Sequence, residues 1–189
     1  MTLRMKTLTL ATSLLAVALL TGAVAQATTA WKRTYFGTSS LSALIPGTVS
    51  EPEITKVTDD DDWVTEVADY TVDAENFGMF VSISKAKTTQ KLDGAFVKKE
   101  LVPTLQSTLS PNDETAIPVQ EIKVDEKWAL QAKFTRKNPA GEQTHYHVFA
   151  TVEGTNLIMI VGVAFPELEG SVTDLDKAMK SVRLKKGLK

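Results

Sequence analysis

The chain of 189 residues contains no cysteine. Disulfide bonds, thiol catalysis and lipid attachment through an N-terminal cysteine are therefore excluded. The sequence also lacks a G-x-S-x-G elbow, an H-E-x-x-H pair, a Gly-rich phosphate loop and a dinucleotide fingerprint, so no common enzyme class is indicated. Catalysis by a serine and a histidine that come together only in the fold is left open as a possibility. We expect the hydrophobic core to supply the stability of the protein. We expect no cofactor and no catalytic residues.

The N-terminal segment has the three parts of a secretory signal peptide. Two basic residues precede an apolar run over residues 7–20, and small residues follow that run. The run is shorter than the roughly 20 residues that span a bilayer, which predicts removal rather than anchoring. Two A-x-A sites place the cleavage after Ala25 or Ala27, and Ala27 is favoured because that cut removes the whole small-residue stretch. We predict a signal peptide over residues 1–27 and a periplasmic or secreted protein.

Residues 28–189 are predicted to form a single globular α+β domain, because 162 residues suit one core. The signal removes two basic residues and no acid, which leaves a net charge of −4. That balance argues against nucleic acid, whose phosphates require a clustered positive surface. No later apolar run is long enough to cross a bilayer, so no stable membrane insertion is expected after signal removal. The expected partner is another envelope or secreted protein.

Strands are predicted wherever apolar and polar residues alternate. Residues 63–72 and 77–86 alternate in this way and are expected to pair as a hairpin. Residues 128–135, 144–152 and 157–165 predict three further strands, the last apolar on both sides and therefore central in its sheet. Residues 48–62, which are polar, are interpreted as an exposed loop.

Two helices are predicted from apolar residues at helical spacing. The first covers residues 92–109, where Pro103 should kink the helix or split it in two. The second covers residues 171–182, with Ser171 or Thr173 as its N-cap. The fold class is therefore α+β, an antiparallel sheet flanked by helices.

The order of these elements resembles the PsbP-like family of small exported domains. The resemblance is carried by the segment "SLSALIPGT", the hairpin, the helix, the strands ending in "EGTNLIMIVGVAF", and the helix that runs into "MKSVRL". It implies an antiparallel sheet between helical layers, an α/β/α sandwich. It also implies an accessory or binding role without catalysis. No functional motif of the plant members has a counterpart here, so their partners are not carried over.

The only two histidines, His145 and His147, are the strongest candidates for chemistry. Residues two apart on a strand point to the same face, so both imidazoles could reach one metal ion. Without cysteine, a third ligand would have to be a carboxylate, an amide or water. If Phe134 pairs with Thr144 in the hairpin, Lys133 lies opposite His145 and Gln131 lies opposite His147. The charge of Lys133 would repel a cation there.

On the other side of the same strand, Ala164 and Gly162 are predicted to face His145 and His147, and neither offers a ligand. We therefore favour two polar histidines on one face of a strand. Metal binding by His145 and His147, in a metal-binding protein or a metal-dependent hydrolase, is the alternative.

Acidic and basic residues are unevenly distributed along the chain. Residues 51–75 contain ten acids and one lysine, and residues 177–189 contain six bases and no acid. Four of the acids, residues 59–62, suggest calcium, but the glycine and distal glutamate of an EF-hand loop are missing. Such asymmetry can steer a charged partner or favour self-association. We favour the alternative that it is ordinary solubilising surface, with part of the C-terminal charge complementing a helix end.

We predict a non-catalytic binding or accessory protein of the bacterial envelope that acts through protein contacts. A carrier with a small-ligand pocket between helix and sheet is a third hypothesis. A cavity between helix and sheet would distinguish this hypothesis from the other two.

Overall fold

The structure is a computed structural model that describes residues 30–58, 62–109, 115–137 and 141–185. The predicted signal peptide, residues 1–27, lies outside these residues, as do three of the four consecutive aspartates. Within the described ranges, no helix is long and apolar enough to cross a membrane.

The described residues form two helices and eleven strands. The helices are α1 (Gly94–Leu109) and α2 (Ser171–Lys180). The strands are β1 (Lys32–Tyr35), β2 (Leu41–Ile45), β3 (Thr48–Val49), β4 (Glu53–Lys56), β5 (Val64–Asp73), β6 (Phe77–Ala86), β7 (Val119–Val124), β8 (Lys127–Lys137), β9 (Gln143–Glu153), β10 (Asn156–Ala164) and β11 (Arg183–Leu184).

The strands make one large and one small sheet. The large sheet has eight strands. Seven follow the order β3-β5-β6-β10-β9-β8-β7, and the eighth, β4, pairs with β5. The small sheet has the order β1-β2-β11, so the chain's last described strand pairs with one of its first. All the pairings are antiparallel. The α+β prediction is confirmed: the described chain is mostly antiparallel sheet with two helices.

The large sheet contributes to two hydrophobic clusters, because successive side chains of a strand point to opposite faces. On β10, Ile158 and Ile160 belong to the cluster that includes α2, and Leu157 and Met159 belong to the other. The second cluster includes the buried side of α1, formed by Val97, Leu101 and Leu105. Strand β10 lies between β6 and β9, in the central position that its apolar sequence predicts.

The first predicted hairpin is confirmed by β5 and β6, which pair from Val64 opposite Ala86 to Asp73 opposite Gly78. The turn between β9 and β10 is confirmed too, and its Gly154 has a φ of 61°. Strand β7 was not predicted. It joins β8 through Asp125 and Glu126, whose φ angles of 48° and 66° are unusual for residues with a side chain.

Three local predictions are corrected by the fold. The interpretation of residues 48–62 as a loop is wrong for residues 48–49 and 53–56, because β3 and β4 pair with β5 there. Pro103 does not split the first helix, which is continuous from Gly94 to Leu109. The N-cap of α2 is Gly170, with a φ of 78° and no capping side chain. The Ser171 hydroxyl instead accepts a hydrogen bond from the Phe165 amide at 2.9 Å.

Candidate functional site

His145 and His147 lie on the same side of β9, as their spacing predicts. Toward β10 they face Ala164 and Gly162 respectively, so the prediction for that side is confirmed. The two-residue turn between these strands fixes this register.

Toward β8, the predicted register is wrong. Phe134 pairs with Tyr146 rather than Thr144, so Lys133 lies opposite His147 and not opposite His145. The error is two residues, which keeps every side chain on its predicted face. It changes the neighbours, however, and places a lysine beside the histidine that is buried.

His147 is fully buried, with none of its surface exposed. Its Nε2 lies 2.7 Å from Nε2 of Gln131, and its Nδ1 lies 3.2 Å from Oδ1 of Asp176. The Gln131 amide can only donate through this nitrogen, so Nε2 of His147 accepts and Nδ1 carries the proton that is donated to Asp176. Both ring nitrogens are thus hydrogen-bonded in the neutral imidazole.

The pKa of His147 is lowered to about 4. Burial is the largest cause, because it penalises the charged imidazolium, and the positive charge of Lys133 acts in the same direction. Asp176 opposes this shift through its charge and its hydrogen bond, and does not overcome it. His147 is therefore neutral at neutral pH.

Asp176 on α2 connects the helix to the sheet. Its Oδ1 accepts a hydrogen bond from Nζ of Lys133 at 2.8 Å as well as the one from His147. Burial raises the pKa of this carboxyl, but the hydrogen bond and charge of Lys133, with the charges of His147 and Lys180, lower it overall. Asp176 is therefore ionised and paired chiefly with Lys133.

His145 has a different environment, at the half-buried end of the same face. Its Nδ1 lies 3.4 Å from Oγ1 of Thr135, and its buried Nε2 has no hydrogen-bond partner among the described residues. Burial lowers its pKa; the charge of Asp176 opposes this shift, and that of Lys133 adds to it.

Gly162 makes room for α2 beside His147. A Cβ atom at this position would lie 2.3 Å from Cδ1 of Leu175, a fully buried side chain of α2. Non-bonded carbon atoms do not approach so closely, so the absence of a side chain at Gly162 lets the helix lie against the backbone of β10. This contact brings Asp176, the next residue of α2, to the sheet.

The metal hypothesis gains a carboxylate from Asp176, but the arrangement is not that of a metal site. No group of three or more His, Asp or Glu residues in the described parts of the chain could hold an ion. At His147, a metal would have to displace either Gln131 or Asp176. Metal binding by His145 and His147 stays a prediction. Of the calcium candidates, only Asp62 is described, and its Oδ1 accepts a hydrogen bond from the Val64 amide at 3.1 Å.

Some of the described residues of the two charged segments lie at opposite ends of the large sheet. The acidic segment lies on β4 and β5, where Glu53 directly faces Asp69. The basic segment passes beside β7, where Lys180 and Arg183 help to line a cleft of about 430 Å³. Gln131 lines the same cleft, which therefore adjoins the contacts of His147.

Periodicity placed the two histidines on one face, and the predicted hairpin placed Lys133 and Gln131 beside them, although in the wrong register. It did not identify Asp176 as a neighbour. Lys133 and Gln131 alternate on one strand with apolar residues, and this alternation is the signal that places them on the same face as each other. For Asp176 there is no such signal, because the local sequence of a helix does not show which residues of a sheet it contacts.

No protein-family model matches the chain, and neither does any curated protein. The solution structure of cyanobacterial PsbP from Synechocystis is similar over 87% of this chain and 98% of that one, with 14% identity and a TM-score of 0.48. A crystal structure from Bacteroides thetaiotaomicron is 13% identical, with a TM-score of 0.41, over 82% of this chain and 49% of the other. This chain thus spans about half of that protein.

A protein of unknown function from Pseudomonas aeruginosa is 9% identical over 69% of this chain and 92% of its own length, with a TM-score of 0.39. The resemblance to PsbP predicted from the order of elements is confirmed as a weak structural likeness.

Proposed function

We propose that the chain is an exported protein of the bacterial envelope that acts as a non-catalytic binding or accessory module through contacts with another protein. The signal-like residues 1–27 support export. The contacts of His147 argue against catalysis by this residue, because both ring nitrogens are used inside the protein and neither is presented to a substrate.

The separation of charge along the large sheet is the observation that carries the binding role. Glu53 faces Asp69 at the β4–β5 end, although like charges opposite each other destabilise a strand pair. Lys180 and Arg183 lie at the β7 end. Opposite charges at two ends of one molecule attract and orient a charged partner.

We also propose that the layers form an α/β/α sandwich of the PsbP-like kind. In this arrangement α1 covers one face of the large sheet, and α2 with the small sheet covers the other. The two separate hydrophobic clusters, each with one helix, support this proposal.

Capture from envelope extract under mild crosslinking tests the function. We expect the unmodified protein to capture a partner at low salt and to lose it as salt rises. Charge reversal at the acidic end (Glu53→Lys) or at the basic end (Lys180→Glu) should abolish capture. Lys99→Glu on α1 is the control, since Lys99 is exposed and belongs to neither charged segment. If the unmodified protein captures nothing, or if Lys99→Glu has the same effect as the other two, the proposal is wrong.

Cell fractionation tests the export proposal by itself. The protein should be recovered from the periplasm or the medium, in a form shortened at Ala25 or Ala27. Recovery of the full-length chain from the cytoplasm would contradict it.

The alternative is a metal-binding protein or metal-dependent hydrolase that uses His145 and His147. The carboxylate of Asp176 beside His147 favours it, because such a site requires a third ligand. Calorimetric titration with zinc and then calcium tests it. Micromolar binding that is lost in the double variant His145→Ala/His147→Ala and in Asp176→Asn would support a site. Absence of heat with either metal would remove the alternative.

A further inference from the structure

The large sheet has a strand with an open side at each of its two edges. Within the residues that the structure describes, β4 pairs only with β5, and β7 pairs only with β8. In an antiparallel ladder the backbone groups of successive residues point alternately to the two sides of the strand. The two-residue turn at Asp125 and Glu126 directs those of Val124 toward β8, so those of Lys123 point outward. Such an edge can bind another strand.

One face of each edge carries apolar side chains. Ile54 of β4 lies directly opposite Ala68, which packs against the hydrophobic cluster that includes α2. Ile54 therefore projects on this face, the α2 face, where 58% of its surface is exposed. On the α2 face of β7, Ile122 and Val124 pack against the same cluster and are half-buried. A strand that brought Ile54 beside these two residues would bury apolar surface of both edges.

The other face of the two edges carries opposite charges. Glu53 of β4 lies opposite Asp69, and Lys123 of β7 lies between Ile122 and Val124 in sequence, so Glu53 and Lys123 both project away from the α2 face. Both are exposed, and neither forms an ion pair in the described parts of the chain. A cation placed beside Glu53 would offset its repulsion with Asp69.

The directions of the strands allow both faces to match at once. Six antiparallel steps separate β4 from β7, so these two strands run in the same direction. A second copy in the same orientation therefore places its β4 parallel to β7 of the first copy, with the α2 faces of both on one side. Ile54 then lies beside Ile122 and Val124, and Glu53 lies beside Lys123. A copy that is turned over would instead place Ile54 on the side of Lys123.

We propose that copies of this chain associate head to tail, with the β4 edge of one copy against the β7 edge of the next, so that the large sheet continues between molecules. Attraction between the acidic β4 end and the basic β7 end, where Lys180 and Arg183 also lie, orients the two copies. Strands of four and six residues bury little surface, so the association is weak and depends on protein concentration. This association goes beyond the proposed function, because the partner is a second copy.

Sedimentation equilibrium of the purified protein, as it is recovered from cells, tests the association. A head-to-tail contact leaves one edge of each kind open, so it can be repeated. We therefore expect the average mass to rise with protein concentration past that of a dimer. Added salt should return the protein to the mass of a monomer, because it screens the charges that orient the copies.

Exchange of the two charges locates the contact. Glu53→Lys and Lys123→Glu should each weaken association at least about tenfold, because each places like charges together. The double variant Glu53→Lys/Lys123→Glu should recover association, because the same pair is present with its charges exchanged. Lys99→Glu on α1 is the matched control for charge and should associate normally. All three altered side chains are exposed, so every variant should fold.

A second pair of variants tests the apolar side of the contact. Ile54→Thr should weaken association several-fold, because it removes apolar surface that the contact buries. Leu168→Thr is the matched control, since Leu168 is 47% exposed and belongs to neither edge strand. It should leave association unchanged.

A purified protein that stays monomeric at millimolar concentration would overturn the proposal. So would a double variant that does not recover association, or an equal loss in Lys99→Glu and Lys123→Glu. A monomer that still captures a partner from envelope extract would overturn the sheet contact and leave the proposed function standing. Association of the purified protein without any capture from extract would do the reverse.

Discussion

Nδ1 of His147 lies 3.2 Å from Oδ1 of Asp176. This contact joins the middle of β9 to α2 across one face of the large sheet. Asp176 simultaneously accepts a hydrogen bond from Lys133 at 2.8 Å. A buried neutral imidazole, a carboxylate and an ammonium thus share one network, and the charge of Lys133 lowers the pKa of both His147 and Asp176.

The first prediction concerns the pH dependence of stability. The pKa of His147 is about 4 in the folded protein, against an ordinary value of 6.5. As the pH falls below 6.5 the unfolded chain takes up this proton first, so stability is present above pH 6.5 and is lost down to pH 4. We expect the free energy of unfolding to fall by about 2 to 3 kcal/mol between pH 7 and 4.5 from this group alone.

Urea denaturation at several pH values measures this effect. His147→Gln should flatten the dependence, because the group that titrates is removed. His145→Gln should flatten it less, because His145 is only half-buried. Equal slopes in the unmodified protein and in His147→Gln would contradict the prediction.

The second prediction concerns the two charges beside His147. Lys133 lowers the pKa of this histidine and Asp176 raises it. Lys133→Met should therefore raise the pKa of His147, and Asp176→Asn should lower it further. NMR titration of the imidazole signals measures both. Shifts in the same direction would show that altered packing, and not charge, is responsible.

The third prediction concerns the contact between Gly162 and Leu175. Gly162→Ala places a Cβ atom 2.3 Å from the Leu175 side chain, and we expect a loss of about 1 to 3 kcal/mol of stability from overpacking. Leu175→Ala alone should cost about 2 to 5 kcal/mol by leaving a cavity.

The double variant Gly162→Ala/Leu175→Ala should lose less than the sum of the two, because the new methyl group occupies space that Leu175 vacates. Thermal and urea unfolding of the four proteins completes the cycle. Strict additivity would mean that the two positions do not share one space.

The fourth prediction concerns the turn between β7 and β8. Glu126 has a φ of 66°, which a residue with a side chain adopts at a cost. Glu126→Gly should stabilise the protein by about 0.5 to 1 kcal/mol. The backbone strain removed at the turn should exceed the cost of the greater conformational entropy that glycine gives the unfolded chain. Gln120→Gly, within the same hairpin on β7, is the control and should destabilise it. A loss of stability in Glu126→Gly would contradict the prediction.

Local pattern predicted most of the elements around the site. Alternation identified the cores of β8 and β9, and the apolar run of β10 indicated its central position. Strand β7 was missed because it lies at the edge of the sheet, where "VQEIKV" has only a half-buried apolar side. Strands β3 and β4 are two and four residues long, and they depend on β5 for all of their partners.

The site, like the fold, was predicted only in part from the sequence. By itself the sequence determined that His145 and His147 share one face, because the period of a strand is two residues, and that Gly162 lies beside His147, because a two-residue turn sets the register. Only the tertiary structure decided that Asp176 contacts His147 from 29 residues away. That contact depends on how α2 packs on the sheet over Gly162, and long-range packing leaves no periodic signal in the chain.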